Sequence, residues 1–267
     1  MYVISGVLNT SLAGVSEIIN ERKKNLLLEV VREQIAGGAH CIALNCGTHI
    51  TTEVEDMEWL VKTIHGELEI PICIDSPNAL VQEVGLKNNK CGRALVDSIT
   101  LEQSRINAIT PLVKKYNAKV IVLLHDESGM PKNSEERLAL LPKLETVVQE
   151  FDLQKADIFI DSLVFPLAVN TENSNIYLAS VQEARKRYPG YQYCCGLDNI
   201  SFGLPQQELL NIAMLGMLVG IKQEAVIIKL TPAVVAFMHT MQGLSGLDVD
   251  MKKYLQAFRS KKLEVLR

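Results

Sequence analysis

Eight short apolar runs, each ending on a polar residue, constrain this chain more than any other feature. The end residues are Asn9, Asn45, Asp75, Asp97, Asp126, Asp161, Asn199 and Lys229. Runs such as Pro71-Ile-Cys-Ile-Asp75 and Lys119-Val-Ile-Val-Leu-Leu-His-Asp126 have the length, β-branched content and near-continuous apolarity of strands buried on both faces, the pattern of a parallel sheet covered by helices. The strand-like segments fall near residues 2–8, 41–45, 71–75, 93–99, 119–126, 157–161, 192–197 and 225–230. The stretches between them carry helical spacing. Met57, Leu60, Val61 and Ile64 form one stripe, Ser134 caps a helix predicted to run to about Phe151, and Leu209, Leu210, Ala213, Met214 and Met217 form another stripe. This alternation predicts an α/β chain folded as a (β/α)8 TIM barrel, a single domain over residues 1–267. The length of 267 residues suits a fold of roughly 250, and 48% hydrophobic residues can fill its core. The stretch from Val234 onward, with Lys252, Lys253, Lys261 and Lys262, reads as final helices outside the barrel.

Several partners and chemistries are disfavoured. The net charge of −4 comes from interspersed acidic and basic residues with no basic stripe, so nucleic acid is not expected as a partner. No apolar run approaches the ~20 residues that span a bilayer, and no signal-peptide pattern opens the chain, so a cytoplasmic protein without membrane contact is expected. The six cysteines show no C-x-x-C pair and the five histidines no ligand spacing, so no metal is expected on the chain itself. Cys194 and Cys195 are expected to face opposite sides of a strand. His125 alone among the histidines falls near the strand ends.

In a barrel all strand ends converge on one rim, where the active site lies. The segments after the seventh and eighth runs, Asn199-Ile-Ser-Phe-Gly-Leu-Pro205 and Thr231-Pro232, are poor phosphate grips, and no G-x-S-x-G elbow is present. Lys229 is the only strand-borne candidate for Schiff-base chemistry, and a lone strand-end lysine more often pairs with a carboxylate. What the rim offers is carboxylates and carboxamides in several registers. An ionised Asp accepts from two adjacent N–H donors on a guanine-like or pterin edge, and Asn both donates to a ring carbonyl and accepts from an N–H. The plainer alternative is that each such residue caps a helix or satisfies loop amides.

The segments Val3-Ile-Ser-Gly-Val-Leu-Asn9, Ile42-Ala-Leu-Asn-Cys-Gly47, Met57-Glu-Trp-Leu-Val61, Pro71-Ile-Cys-Ile-Asp-Ser-Pro-Asn78, Phe159-Ile-Asp-Ser-Leu-Val164 and Gly196-Leu-Asp-Asn-Ile-Ser-Phe-Gly-Leu-Pro205 resemble the pterin-binding methyltransferases that work with a corrinoid protein. These include the methyltetrahydrofolate:corrinoid/iron–sulfur-protein methyltransferases and the tetrahydrofolate methyltransferases of corrinoid-dependent demethylation. The similarity covers nearly the whole chain, and its G-L-x-N-x-S-F-G-L-P and D-S-P-N strings are the specific ones.

The resemblance implies methyl transfer between N5 of tetrahydrofolate and the cobalt of a corrinoid (cobalamin) carried by a partner protein. It implies that Asp75, Asp97 and Asp161 hold the pterin with Asn45 nearby, that Asn199 acts catalytically at N5, and that the protein is a homodimer. Four departures from the family pattern stand out. The first strand reads Ser5-Gly-Val-Leu-Asn9 where Gly-Glu-Arg-Ile-Asn is common, losing the Glu at Gly6, Ala43 replaces an Asp, Asp97 replaces an Asn, and Ser162 replaces a Pro. An ionised Asp97 cannot donate a hydrogen bond, so it must either accept from N8–H or be held protonated by its neighbours. Dihydropteroate synthase is the alternative reaction, but the basic loops that a pyrophosphate would require are missing. A non-catalytic pterin-binding protein is the third reading, suggested by Gly6 and Ala43 and opposed by Asn199.

Overall fold

The computed structural model describes residues 1–244 and Arg259. Eight parallel strands form one sheet: β1 (Tyr2–Asn9), β2 (Cys41–Asn45), β3 (Ile72–Asp75), β4 (Leu95–Thr100), β5 (Lys119–Leu123), β6 (Ile158–Asp161), β7 (Gln192–Cys194) and β8 (Ala225–Ile228). Their order is β7-β6-β5-β4-β3-β2-β1-β8. A bridge between Gly196 and Ile227, with the Ile227 N–H donating to the Cys195 carbonyl at 2.8 Å, closes β7 against β8. The architecture is a (β/α)8 barrel. The helices around it are α1 (Val15–Asn20), α2 (Lys24–Ala36), α3 (Glu53–His65), α4 (Ala79–Asn88), α5 (Gln103–Lys115), α6 (Ser134–Leu138), α7 (Leu141–Glu150), α8 (Asn173–Arg187), α9 (Gln207–Gly220) and α10 (Pro232–Leu244).

Period-two alternation divides the apolar strand residues between two cores. Ile4, Cys41, Ala43, Cys73, Leu95, Ile121, Phe159, Cys194 and Ala225 plug the barrel interior. Their strand neighbours, including Ile42, Ile72, Val96, Val120, Ile160 and Cys195, face the helices. Cys194 and Cys195 therefore lie in different cores, as the strand geometry requires. Each fully buried Val, Ile or Leu contributes roughly 1.5–3 kcal/mol relative to exposure, so a chain this apolar is committed to covering both faces of its sheet.

The structure departs from the sequence expectation in the connection after β5. Asn133, not Ser134, is the cap: its Oδ1 accepts from the Glu136 N–H at 2.9 Å. The single predicted helix is two, α6 and α7, separated at Ala139 and Leu140. Pro142 sits in the first turn of α7, where its missing N–H is tolerated, whereas one continuous helix would need that donor. The fifth strand also stops at Leu123, short of Asp126. At the other end of the chain, α10 closes the described barrel, and Lys252, Lys253, Lys261 and Lys262 lie outside the described residues.

Candidate active site

The interior alternation continues past the apolar plug. Two residues beyond Ala43, Cys73, Leu95 and Phe159 come Asn45, Asp75, Asp97 and Asp161, so the same inward face turns from apolar to polar at the carboxyl ends of β2, β3, β4 and β6. Asp75 and Asp97 are register partners on adjacent strands. Asn45 donates from Nδ2 to Asp75 Oδ2 at 2.8 Å, and its own Oδ1 accepts from the Gly47 N–H at 2.9 Å, which fixes the amide orientation. Asp161, only 7% exposed, accepts from the Leu163 N–H at 2.7 Å.

Three carboxyls in one interior cannot all ionise easily. Burial pushes Asp97 well above the usual carboxylate range, and the neighbouring Asp75 and Asp161 add to the effect. Burial also raises Asp75, with the Asn45 hydrogen bond opposing it and Glu53 reinforcing it. Asp161 is raised to about 6 by burial, opposed by the backbone N–H groups of Leu163 and Gly196 and by Arg137. That arginine is fully buried on α6, its guanidinium stacked 5.2 Å from the Phe165 ring on the loop that follows Asp161. Burial and its two acidic neighbours thus favour the protonated form of Asp97, the only form of a carboxyl that can donate a hydrogen bond.

Above this floor opens a cavity of about 560 Å³. Asn45, Asp75, Ala43 and Gly6 line its floor side, and Asp198, Asn199, Glu208, Asn211 and Lys229 line the wall built by the loops after β7 and β8. Asn199 lies in a short 3-10 turn, Leu197–Ser201. Its amide lies close over the strand end: a Cβ on Gly196 would come 3.1 Å from Asn199 Nδ2, so a side chain there would displace that amide by a few tenths of an ångström. Next to it, Asp198 accepts from Asn211 Nδ2 at 2.7 Å and from the Lys229 N–H at 3.1 Å. Enclosure by the cavity walls raises the Asp198 carboxyl, and Lys229 opposes this, although the side chain remains open to the cavity. At Gly6 a Cβ would be in ordinary contact with Ile227, so this position leaves open space where a longer side chain would fill the floor.

The sequence matches the pterin-binding enzyme family over residues 5–242. The chain belongs to the pterin-binding enzymes. Among relatives in this family, a methylcorrinoid:tetrahydrofolate methyltransferase of Eubacterium limosum is 28% identical over 98% of both chains. Methionine synthase of Mycobacterium tuberculosis is 28% identical over 70% of this chain, which spans only 17% of that larger protein. In fold, dihydropteroate synthase of Clostridium difficile, crystallised with pteroic acid, superposes with a TM-score of 0.68 at 18% identity over 91% of this chain and 96% of its own. The dihydropteroate synthase of Xanthomonas albilineans gives 0.68 at 13% identity over 92% and 94%.

For a pterin-binding enzyme, the placement of the sequence candidates is informative. Asn45, Asp75 and Asn199 all line the cavity, while Asp97, paired with Asp75 and close enough to Asp161 to feel its charge, lies with Asp161 in the ring of strand ends and outside the cavity lining. Asp126 is not among them. It lies beyond β5, accepts from the Ser128 N–H at 2.9 Å and from Lys143 Nζ at 3.2 Å, and closes a turn, which is the plain capping role open to any strand-end Asp. His125 does not line the cavity either. Asn9 does line it, while its Oδ1 also holds the following turn through the Ser11 N–H at 2.9 Å. The sequence reading missed Asp198, Glu208, Asn211 and Arg137 as site residues. Asp198 could have been found as the neighbour of Asn199 in the same motif, whereas nothing local in the sequence marks Arg137.

Proposed function

We propose that this pterin-binding enzyme transfers a methyl group between a corrinoid held by a partner protein and N5 of tetrahydrofolate. The observation that carries the reading is the sign of the cavity. Of the ionisable residues lining it, Asp75, Asp198 and Glu208 are acidic and Lys229 alone is basic. A reaction that expels pyrophosphate would call for converging cations, whereas a pterin edge presents N–H donors that suit carboxylates. Ionised Asp75 and Asp161 accept from the ring, and Asp97, keeping its proton, donates to it.

Asn199 acts at N5. A tertiary amine is a poor leaving group unless positive charge develops on nitrogen, and a carboxamide dipole accommodates that change without a buried charge. Reduced cobalt is a strong nucleophile and a methylated corrinoid a good donor, so the protein mainly orients the reactants and manages the proton. A corrinoid is too bulky to enter a cavity that admits a pterin, so it is presented over the open mouth by its carrier. A homodimer through α9 would rely on its exposed Leu209 and Met217, because Met214, Leu215 and Leu218 are already buried against the barrel.

The deciding experiment is methyl transfer from methylcobalamin to tetrahydrofolate, run beside condensation of a pterin pyrophosphate with p-aminobenzoate. Transfer without condensation is the expected outcome. Condensation without transfer assigns the protein to the synthase reaction, and folate binding without either makes it a carrier.

A further inference from the structure

We propose that Asp198 is the proton acceptor for N5, taking the proton as the N5–methyl bond forms and returning it in the reverse direction. This inference rests on the methyl-transfer reading above. When N5 of tetrahydrofolate attacks the cobalt-bound methyl, the carbon–cobalt bond breaks with its electron pair left on cobalt. N5 then carries the methyl group, its original hydrogen and a positive charge. One proton must leave nitrogen to give neutral methyltetrahydrofolate, and a corrin ring seated over the mouth shields N5 from bulk water. A resident base is required.

The cavity offers four ionisable groups, and geometry separates them. Asp75 lies on the floor, where Asn45 Nδ2 donates to it at 2.8 Å, in the position suited to the pterin edge. Lys229, when protonated, has no lone pair to accept with. Glu208 accepts from the Thr231 hydroxyl and is tied to the start of α10. Asp198 directly precedes Asn199 in the same short turn, and both residues line the cavity. It is anchored from two sides, by Asn211 of α9 at 2.7 Å and by the Lys229 N–H beyond β8 at 3.1 Å. Each oxygen has one donor, and a carboxylate has about four acceptor positions, so each retains capacity for a proton from the cavity side.

The charged and titratable groups facing Asp198 are Lys229 beyond β8, Glu208 on α9, Asp75 on β3 and the Cys195 thiol beyond β7. Enclosure lifts the Asp198 carboxyl above its ordinary range while the Lys229 N–H and charge oppose the rise, and a raised carboxyl is a better base than a solvated aspartate. Because its two donors come from different elements, the carboxylate is already oriented before the proton arrives.

The test is single-turnover transfer from methylcobalamin to saturating tetrahydrofolate, followed across pH for the wild type, Asp198→Asn and Asp198→Ser. Folate affinity is measured by calorimetry in parallel. The expected result is a rate roughly 10²-fold lower in both variants, folate affinity unchanged, the rise of rate with pH abolished, and partial recovery on adding formate or imidazole as a diffusible base. Variants that keep the wild-type rate and pH profile overturn the proposal. So do variants that lose rate and folate affinity together with no recovery by added base, because the residue is then structural. A wild-type protein that transfers no methyl group overturns the methyl-transfer reading itself, and the proposal falls with it.

Discussion

At the residue scale, each polar side chain is set by which neighbour reaches it first. Asn199 has the least committed of the carboxamides: Asn45 is fixed by Asp75 and Gly47, while Asn199 faces the cavity. If its amide acts chiefly on charge that changes at N5, Asn199→Ala lowers the transfer rate more than it weakens ground-state folate binding. A buried oxyanion donor removed elsewhere costs about 10²–10³ in rate, and a smaller loss is expected at this open wall because water partly replaces the amide. Single-turnover rates at saturating folate measure it, and a wild-type rate would reduce Asn199 to a positioning residue.

Asp161 gives a second test at this scale. The folded carboxyl holds its proton up to about 6, whereas an aspartate in the unfolded chain releases it near about 3.9. Between those values the folded state binds more protons, so stability falls as pH rises through that window and the loss is complete above it. Asp161→Asn removes the titration and still accepts from the Leu163 N–H. Urea denaturation should show the variant gaining on the wild type by about 2–3 kcal/mol between the two ends of the window. Parallel stability curves would mean that Asp161 is already ionised in the fold.

At the element scale, strand ends and helix starts fix the site more tightly than side-chain identity does. Helix α4 follows β3, whose last residue is Asp75, and lies so close that a Cβ on Gly85 would meet Ile74 Cδ1 at 2.6 Å and Cγ1 at 2.9 Å. Ile74 is fully buried, so any shift it makes is taken up by packed neighbours. Gly85→Ala gains about 1 kcal/mol of helix propensity but overpacks this contact at a cost of about 1–3 kcal/mol. The expected net result is a lower Tm, together with weakened folate binding because β3 moves with its terminal Asp75. A stabilised variant would show that the two elements can separate freely. The division between α6 and α7 matters for the same reason. It lets α6 turn its Arg137 inward towards the loop that follows Asp161.

At the scale of the whole molecule, large apolar side chains stand exposed around the rim. Leu12, Ile50, Leu80, Met130, Val169 and Phe202 come from six different connections at the carboxyl ends of the strands, with Ile50 85% and Val169 79% exposed. Scattered exposed apolar residues are ordinary, but six on separate connections at the cavity end of the barrel, with Leu12 and Phe202 lining the cavity itself, fit a surface that a partner covers. On the proposed reading the carrier of the corrinoid docks there. Ile50→Ser with Val169→Ser should raise the KM for the carrier protein roughly tenfold, for a loss of about 1–2 kcal/mol, and should leave transfer from free methylcobalamin unchanged. Equal effects on both donors would place the defect in the barrel and not in docking.

The sequence by itself determined the barrel and the level at which its site lies. Interior strand positions repeat every two residues, so a run such as Cys73-Ile-Asp75 states both that Cys73 plugs the barrel and that Asp75 rises above the plug. The same local rule could not separate Asp75 from Asp126, since both are aspartates at the end of an apolar run. Only the point at which β5 leaves the sheet, at Leu123, sends Asp126 to a turn and its pairing with Lys143. The tertiary structure also decided everything that depends on convergence: Asp75 and Asp161 raising the proton affinity of Asp97, Arg137 buried near Asp161, and Asp198 held between α9 and the end of β8. These residues are far apart in the chain. Burial and Coulombic coupling act through space, over distances that are set only when all eight strands have closed.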